Sequence, residues 1–199
     1  MKDESLFRLI FIGVFVLALL LSTHYRRLAR KTSGVIARRE EGTLALILRA
    51  TLTLPLLLAI VLYACNPRWM DWSAISLPLW SRWLGAGLGI ACVLLMRWVL
   101  RSIGTNISET VLTKQDHQLV MKGPYRWVRH PLYSVGLLEI FALGLLASNW
   151  FMMLLGFIGI GVFRYIVIPK EEANLIAAFD GEYQHYQERT GALVPQFRA

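Results

Sequence analysis

The chain has 199 residues, of which 56% are hydrophobic and 17% are charged, and its formal net charge is +8. This apolar fraction, with a positive mean hydropathy, excludes an ordinary soluble domain and indicates a chain that lies in a bilayer. Its basic residues lie in short clusters beside apolar runs, which is typical of membrane-flanking charge and argues against a nucleic-acid-binding protein.

Three apolar segments come first along the chain, and each is long enough or nearly long enough to cross a bilayer, which takes about 20 residues. They predict three transmembrane helices within residues 1–102, running from Leu6 to Leu21, from Leu44 to Ala64 and from Leu77 to Leu100.

The two cysteines, Cys65 and Cys92, lie in apolar surroundings and are expected to be small buried side chains. Neither a disulfide framework nor a cysteine metal site is indicated.

A longer apolar stretch from Pro131 to Ile168 is broken by Ser148 and Asn149. Each half has roughly 17 residues and is just long enough to cross, so the stretch predicts a helical hairpin with a very tight turn. A hairpin returns the chain to the side that it left. We therefore expect Pro131 and Pro169 to lie close together.

The distribution of Lys and Arg predicts the orientation. The loop after the first predicted helix and the loop after the third are rich in both, whereas the segment from Asn66 to Ser76 has only Arg68. By the positive-inside rule the basic loops are cytoplasmic, and about five crossings then place the N-terminus outside and the C-terminus inside. The predicted fold is an all-α, polytopic membrane protein that forms a single domain.

The polar tail from Lys170 to Ala199 has apolar residues at helical spacing. It predicts an amphipathic helix on the cytoplasmic face. Tyr183 and Tyr186 are expected to be interfacial aromatic residues on this tail.

Residues suited to chemistry are concentrated in residues 117–133 and 169–175, which the hairpin brings together. Pro131 suits the first position of a helix, so His130 precedes a helix N-terminus that favours an anionic group. Glu171 and Glu172 would face it with negative charge. The arrangement fits a zwitterionic cofactor with a carboxylate, an ammonium and a sulfonium, and Tyr125 or Tyr133 could offer a ring face to the positive charge.

A plainer interpretation of the same residues stays open at this point. The basic run that ends at His130 could anchor a helix at the membrane interface. Paired glutamates such as Glu171 and Glu172 are also common at the start of a helix.

Several spaced motifs in residues 117–195 occur together. They are His-x-Leu-Val-x-x-Gly-x-Tyr from His117, Arg-His-Pro-x-Tyr from Arg129, Glu-Glu-x-x-Leu from Glu171, Tyr-x-x-Tyr from Tyr183, and the late Pro195. In this combination the chain resembles the isoprenylcysteine carboxyl methyltransferase family and its bacterial and archaeal relatives. The wider group includes phospholipid N-methyltransferases.

The resemblance implies S-adenosylmethionine as the cofactor, no metal, and a lipidic or prenylated acceptor that enters from the bilayer. It implies that the first three helices shape the entrance and that residues 103–199 form the catalytic part. The cofactor pocket would be lined by His117, Gln118, Leu119, Val120, Tyr125, His130, Pro131, Leu132, Tyr133 and Glu171.

The resemblance specifies the methyl acceptor less well than it specifies the cofactor. Relatives that methylate a prenylated cysteine carry an arginine near the end of the hairpin, where this chain has Val167, although Arg164 lies one turn earlier. A carboxylate acceptor is ionised at neutral pH and needs no general base, so Arg129 or Arg164 would orient it. An amine acceptor would have to lose a proton, and Glu172 is the candidate base.

The predicted function is therefore an S-adenosylmethionine-dependent methyltransferase of the membrane, with the carboxylate of an isoprenylcysteine-like lipid as the first choice of acceptor. A phospholipid or other lipid N-methyltransferase is the alternative with the same cofactor. An NADPH-dependent sterol-type membrane reductase is the alternative from another class.

Overall fold

A computed structural model describes residues 2–33, 43–104 and 119–196. In these residues the chain forms seven α-helices and no β-strand, which confirms the predicted all-α class. The helices are α1 (Lys2–Ser33), α2 (Thr43–Cys65), α3 (Leu79–Ile103), α4 (Pro131–Leu146), α5 (Trp150–Val162), α6 (Ile168–Phe179) and α7 (Gly181–Arg189).

Three long apolar stretches among the described residues could cross a bilayer by length and composition: Glu4–Lys31, Leu79–Ile103 and Trp150–Phe179. Two shorter apolar helices, Ala50–Cys65 and Pro131–Leu146, accompany them. The chain is thus an integral, multi-pass membrane protein, while the count of about five crossings stays a prediction.

The predicted hairpin is confirmed as α4 and α5, which are joined by three residues. Asn149 caps α5, because its side-chain oxygen accepts a hydrogen bond from the Met152 amide at 3.0 Å. Its side-chain amide donates to the Ser73 hydroxyl at 2.6 Å. The turn of the hairpin is therefore held against the short 3₁₀ helix Pro67–Ser73, which follows α2.

Helix α3 packs closely between α1 and α4. A β-carbon at Gly85 would lie 2.9 Å from the Ala142 carbonyl oxygen, so the backbones of α3 and α4 approach each other directly there. Cys92 is buried in this packing as expected. Cys65 is exposed, and the prediction that it is buried is wrong, because it is the last residue of α2, where the helix ends.

The C-terminal tail differs from the single predicted helix. Helix α5 continues through one π-helical turn, Phe163–Val167, into α6, and the Ile168 amide donates to the Phe163 carbonyl. Pro169, which has no amide hydrogen, follows this wider turn. At Asp180 the backbone adopts a φ of 45°, which ends α6 and lets α7 turn back toward the loop before α4.

Tyr183 and Tyr186 are 1% and 6% exposed, so their prediction as interfacial aromatics is wrong. Because α7 turns back after Asp180, its aromatic face packs against protein instead of the membrane surface.

Candidate functional site

The loop that precedes α4 is fixed by the end of the chain. The Arg129 amide donates to the Gly191 carbonyl at 2.8 Å, and the His130 amide donates to the Ala192 carbonyl at 3.0 Å. The Ser134 hydroxyl donates to the Leu193 carbonyl at 2.6 Å. Residues after α7 therefore determine where His130 lies at the start of α4.

His130, which immediately precedes α4, and Tyr133 on α4 meet the two glutamates of α6. The Tyr133 hydroxyl donates to Glu171 Oε2 at 3.0 Å. His130 Nε2 lies 3.2 Å from Glu172 Oε1, and His130 Nδ1 lies 3.5 Å from Glu171 Oε2. The rings of His130 and Tyr133 are stacked, with centroids 5.6 Å apart. These contacts confirm that the hairpin brings the two ends near Pro131 and Pro169 together.

Arg129 and Glu172 form a largely buried ion pair, with Arg129 Nε 2.7 Å from Glu172 Oε1 and side chains 12% and 15% exposed. Gln187 of α7 donates to the other oxygen, Glu172 Oε2, at 2.9 Å. Arg129 also donates to the carbonyl groups of Gln187, at 3.1 Å, and Thr190. The pair therefore links the loop before α4 to α6 and to the end of α7.

The N-terminus of α4 offers few free donors. Pro131 has no amide hydrogen, and the amides of Tyr133 and Ser134 both donate to the His130 carbonyl at 3.1 Å. Of this first turn, only the Leu132 amide is left to face a ligand. An anion bound here would need donors from elsewhere in the site.

Tyr125, Val120 and Leu132 lie on the apolar side of the site. Tyr125 belongs to the 3₁₀ helix Gly123–Arg126 and is buried in a cluster that Val120 and Leu132 flank. Its carbonyl accepts a hydrogen bond from the Tyr186 hydroxyl at 2.5 Å. Leu119 is half-buried just before Val120, whereas His117 and Gln118 lie outside the described residues.

Arg164 lies on the π-helical turn and is exposed, with its guanidinium 5.7 Å from the centre of the Tyr165 ring. The preceding residue, Phe163, contacts the Tyr133 ring at a centroid distance of 4.5 Å. Arg164 is therefore the next residue in the chain after one that contacts the site directly.

Two buried polar residues were absent from the set of site residues predicted from the sequence. Tyr183 has a buried hydroxyl with no hydrogen-bond partner among the residues that the structure describes. The spacing of Tyr183 and Tyr186 in the sequence predicts only aromatic residues at the membrane interface. Glu139 is 7% exposed in the middle of α4, and the sequence signal for it was an acidic residue inside an apolar run.

Comparison with known proteins identifies relatives of this chain. Residues 85–177 match the isoprenylcysteine carboxyl methyltransferase (ICMT) family. The protein YpbQ of Bacillus subtilis is 36% identical over 96 residues, which are 48% of this chain and 57% of YpbQ. Protein-S-isoprenylcysteine O-methyltransferase of Schizosaccharomyces pombe is 34% identical over 116 residues, 55% of this chain and 48% of that protein. The chain thus spans about half the length of these curated relatives.

The solved structure of the eukaryotic intramembrane Ras methyltransferase ICMT has a similar fold. The match has a TM-score of 0.52 at 20% sequence identity and covers 94% of this chain and 67% of the solved chain. At this identity the match shows the fold alone. Together with the sequence match, it confirms the resemblance predicted from the motifs.

Proposed function

Since residues 85–177 match the isoprenylcysteine carboxyl methyltransferase family, we propose that the chain is a membrane methyltransferase that uses S-adenosylmethionine. The observation that carries the proposal is the contact between the start of α4 and α6. There the Tyr133 hydroxyl donates to Glu171 at 3.0 Å, within the matched residues. In this proposal residues 1–199 form one membrane domain, and residues 103–199 are its catalytic part.

The side chains present fit a zwitterionic cofactor. Glu171 is 24% exposed at its side chain and supplies a carboxylate for an ammonium group. Tyr133 supplies a ring face for a sulfonium, and the Tyr183 hydroxyl, which has no partner among the described residues, supplies a hydrogen-bond donor. When bound, S-adenosylmethionine would supply a methyl group on a positively charged sulfur. The residues proposed to hold it are those expected from the resemblance: His117, Gln118, Leu119, Val120, Tyr125, His130, Pro131, Leu132, Tyr133 and Glu171.

The proposed acceptor is the carboxylate of a prenylated or otherwise lipidic molecule. In the reaction one carbon–sulfur bond breaks and one carbon–oxygen bond forms, so the protein has to align the two partners and exclude water. No proton has to be removed from a carboxylate at neutral pH. The proposal therefore needs no general base, no metal and no redox partner.

The surroundings of Glu172 support a carboxylate acceptor over an amine. Arg129 and Gln187 donate to its two oxygens, and His130 lies against one of them. A carboxylate in this environment is a poor general base, because accepting a proton would cost it these hydrogen bonds. Arg129 is likewise engaged, which leaves Arg164 as the candidate to orient an acceptor carboxylate, since it is exposed and follows Phe163, which contacts Tyr133.

The acceptor class can be tested with radiolabelled S-adenosylmethionine and purified protein in lipid micelles. We expect label to enter a base-labile ester on an S-prenylated cysteine with a free carboxylate. The matched carboxamide should remain unlabelled, since it has no carboxylate oxygen to attack.

Each other result of this assay has a distinct meaning. Label on a phospholipid amine would replace the proposed acceptor by that of a lipid N-methyltransferase. No label on any acceptor, with lipid-dependent oxidation of NADPH, would contradict the methyltransferase proposal and favour a membrane reductase.

A further inference from the structure

Tyr183 occupies a position in α7 that faces the two glutamates of α6. It lies four residues before Gln187, so the two side chains project from the same face of the helix. Gln187 donates to Glu172 Oε2 at 2.9 Å. The Tyr183 ring also contacts Tyr186, whose hydroxyl donates to the Tyr125 carbonyl. The residue is therefore held between α6 and the loop that precedes α4.

The hydroxyl of Tyr183 is buried without a hydrogen bond to any residue in the described ranges, and the whole residue is 1% exposed. Burial raises the pKa of this hydroxyl well above its ordinary value. The negative charges of Glu172 and Glu171 raise this pKa further, and Arg129 acts in the opposite direction. The group is thus a protonated donor close to the charged centre of the site.

A buried donor without a partner costs free energy, so in native proteins such a group usually meets a water molecule or a ligand. The start of α4 leaves a ligand anion short of donors, because the amides of Tyr133 and Ser134 are already used. In an amino acid the ammonium and the carboxylate are attached to the same carbon. If Glu171 binds the ammonium, the carboxylate therefore lies beside it.

We propose that the Tyr183 hydroxyl donates a hydrogen bond to the carboxylate at the amino-acid end of the cofactor. The inference rests on the proposed function, because it concerns the same cofactor. It assigns to α7 a direct part in recognising the ligand, in addition to its packing against α6 and the loop before α4.

The test compares wild type with Tyr183→Phe, which keeps the ring and removes only the hydroxyl. Binding of two probes is measured by calorimetry: S-adenosylhomocysteine, which carries the amino-acid end, and 5′-methylthioadenosine, which lacks it. We expect the variant to bind S-adenosylhomocysteine about tenfold more weakly, the effect of one lost hydrogen bond to a charged group. Binding of methylthioadenosine should be unchanged.

Tyr186→Phe is the matched control, because the Tyr186 hydroxyl donates to the Tyr125 carbonyl, whereas the Tyr183 hydroxyl has no partner among the described residues. It should lower the thermal stability of the ligand-free protein, whereas Tyr183→Phe should maintain or raise it. Equal binding of S-adenosylhomocysteine by wild type and Tyr183→Phe would overturn the inference and leave the proposed function intact. A loss shared by both probes, or a loss of ligand-free stability in Tyr183→Phe, would also overturn it, since the role would then be structural.

Discussion

Replacement of Glu171 by alanine is expected to weaken the binding of S-adenosylhomocysteine by about 10- to 100-fold, the usual effect of losing a hydrogen bond to a charged group. The carboxylate lies where α6 meets α4, 3.0 Å from the Tyr133 hydroxyl and 3.5 Å from His130 Nδ1. In the proposed site it binds the ammonium of the ligand. Calorimetric titration of the purified protein measures the change.

Two controls make this result specific to Glu171. Glu188→Ala removes an acidic side chain that is 70% exposed on α7, and it should leave the affinity unchanged. 5′-Methylthioadenosine, which has no ammonium group, should bind wild type and Glu171→Ala alike. Unchanged S-adenosylhomocysteine affinity in Glu171→Ala would show that the ammonium is bound elsewhere.

Replacement of Arg129 by alanine is expected to lower the free energy of unfolding by about 3–5 kcal/mol, as when one partner of a buried ion pair is removed. Glu172 would lose the guanidinium 2.7 Å away, and the carbonyl groups of Gln187 and Thr190 would lose a donor. The loop before α4 would then be held to α7 mainly by backbone hydrogen bonds. Equilibrium unfolding in mixed micelles measures the difference.

A double substitution separates the loss of stability caused by an unpaired buried charge from the loss caused by missing side-chain packing. Arg129→Met combined with Glu172→Leu leaves no charge unpaired, so it should recover much of the stability that Arg129→Ala loses. Arg126→Ala is the surface control, because Arg126 is exposed and stacks on Trp127 at 3.7 Å, a contact worth about 1 kcal/mol. If Arg129→Ala kept full stability and instead raised the KM for a carboxylate acceptor, Arg129 would orient the substrate as the sequence suggested.

The meeting of α4 and α6 could be predicted because it depends on few features of the sequence. An apolar stretch broken at Ser148 and Asn149 can only return to the side that it left, and this places His130 near Glu171. Helix length and residue type are enough for this step. The shared family motifs gave the same set of residues by an independent route.

The partners of individual side chains could not be predicted in the same way. The pairing of Arg129 with Glu172 depends on Gln187 and Thr190, which α7 brings back only because the chain turns at Asp180. Nothing in the local sequence fixes the left-handed conformation of that aspartate. Without the turn, Tyr183 would have remained at the membrane surface, as its pattern suggested.

Glu139 can be recognised as unusual from the sequence alone. It is an acidic residue within the apolar run of α4, and in the structure it is nearly buried at the contact with α3, near Cys92. Acidic residues in membrane helices are costly and therefore often functional. Its place along α4, roughly 13 Å of helix rise from His130, separates it from the proposed cofactor site.

The most direct measurement is a calorimetric titration of the wild-type protein, purified in detergent and shown to be folded, with S-adenosylhomocysteine. We expect saturable binding with one site per chain. The absence of binding by the folded protein would contradict the proposal that the junction of α4, α6 and α7 is a site for S-adenosylmethionine.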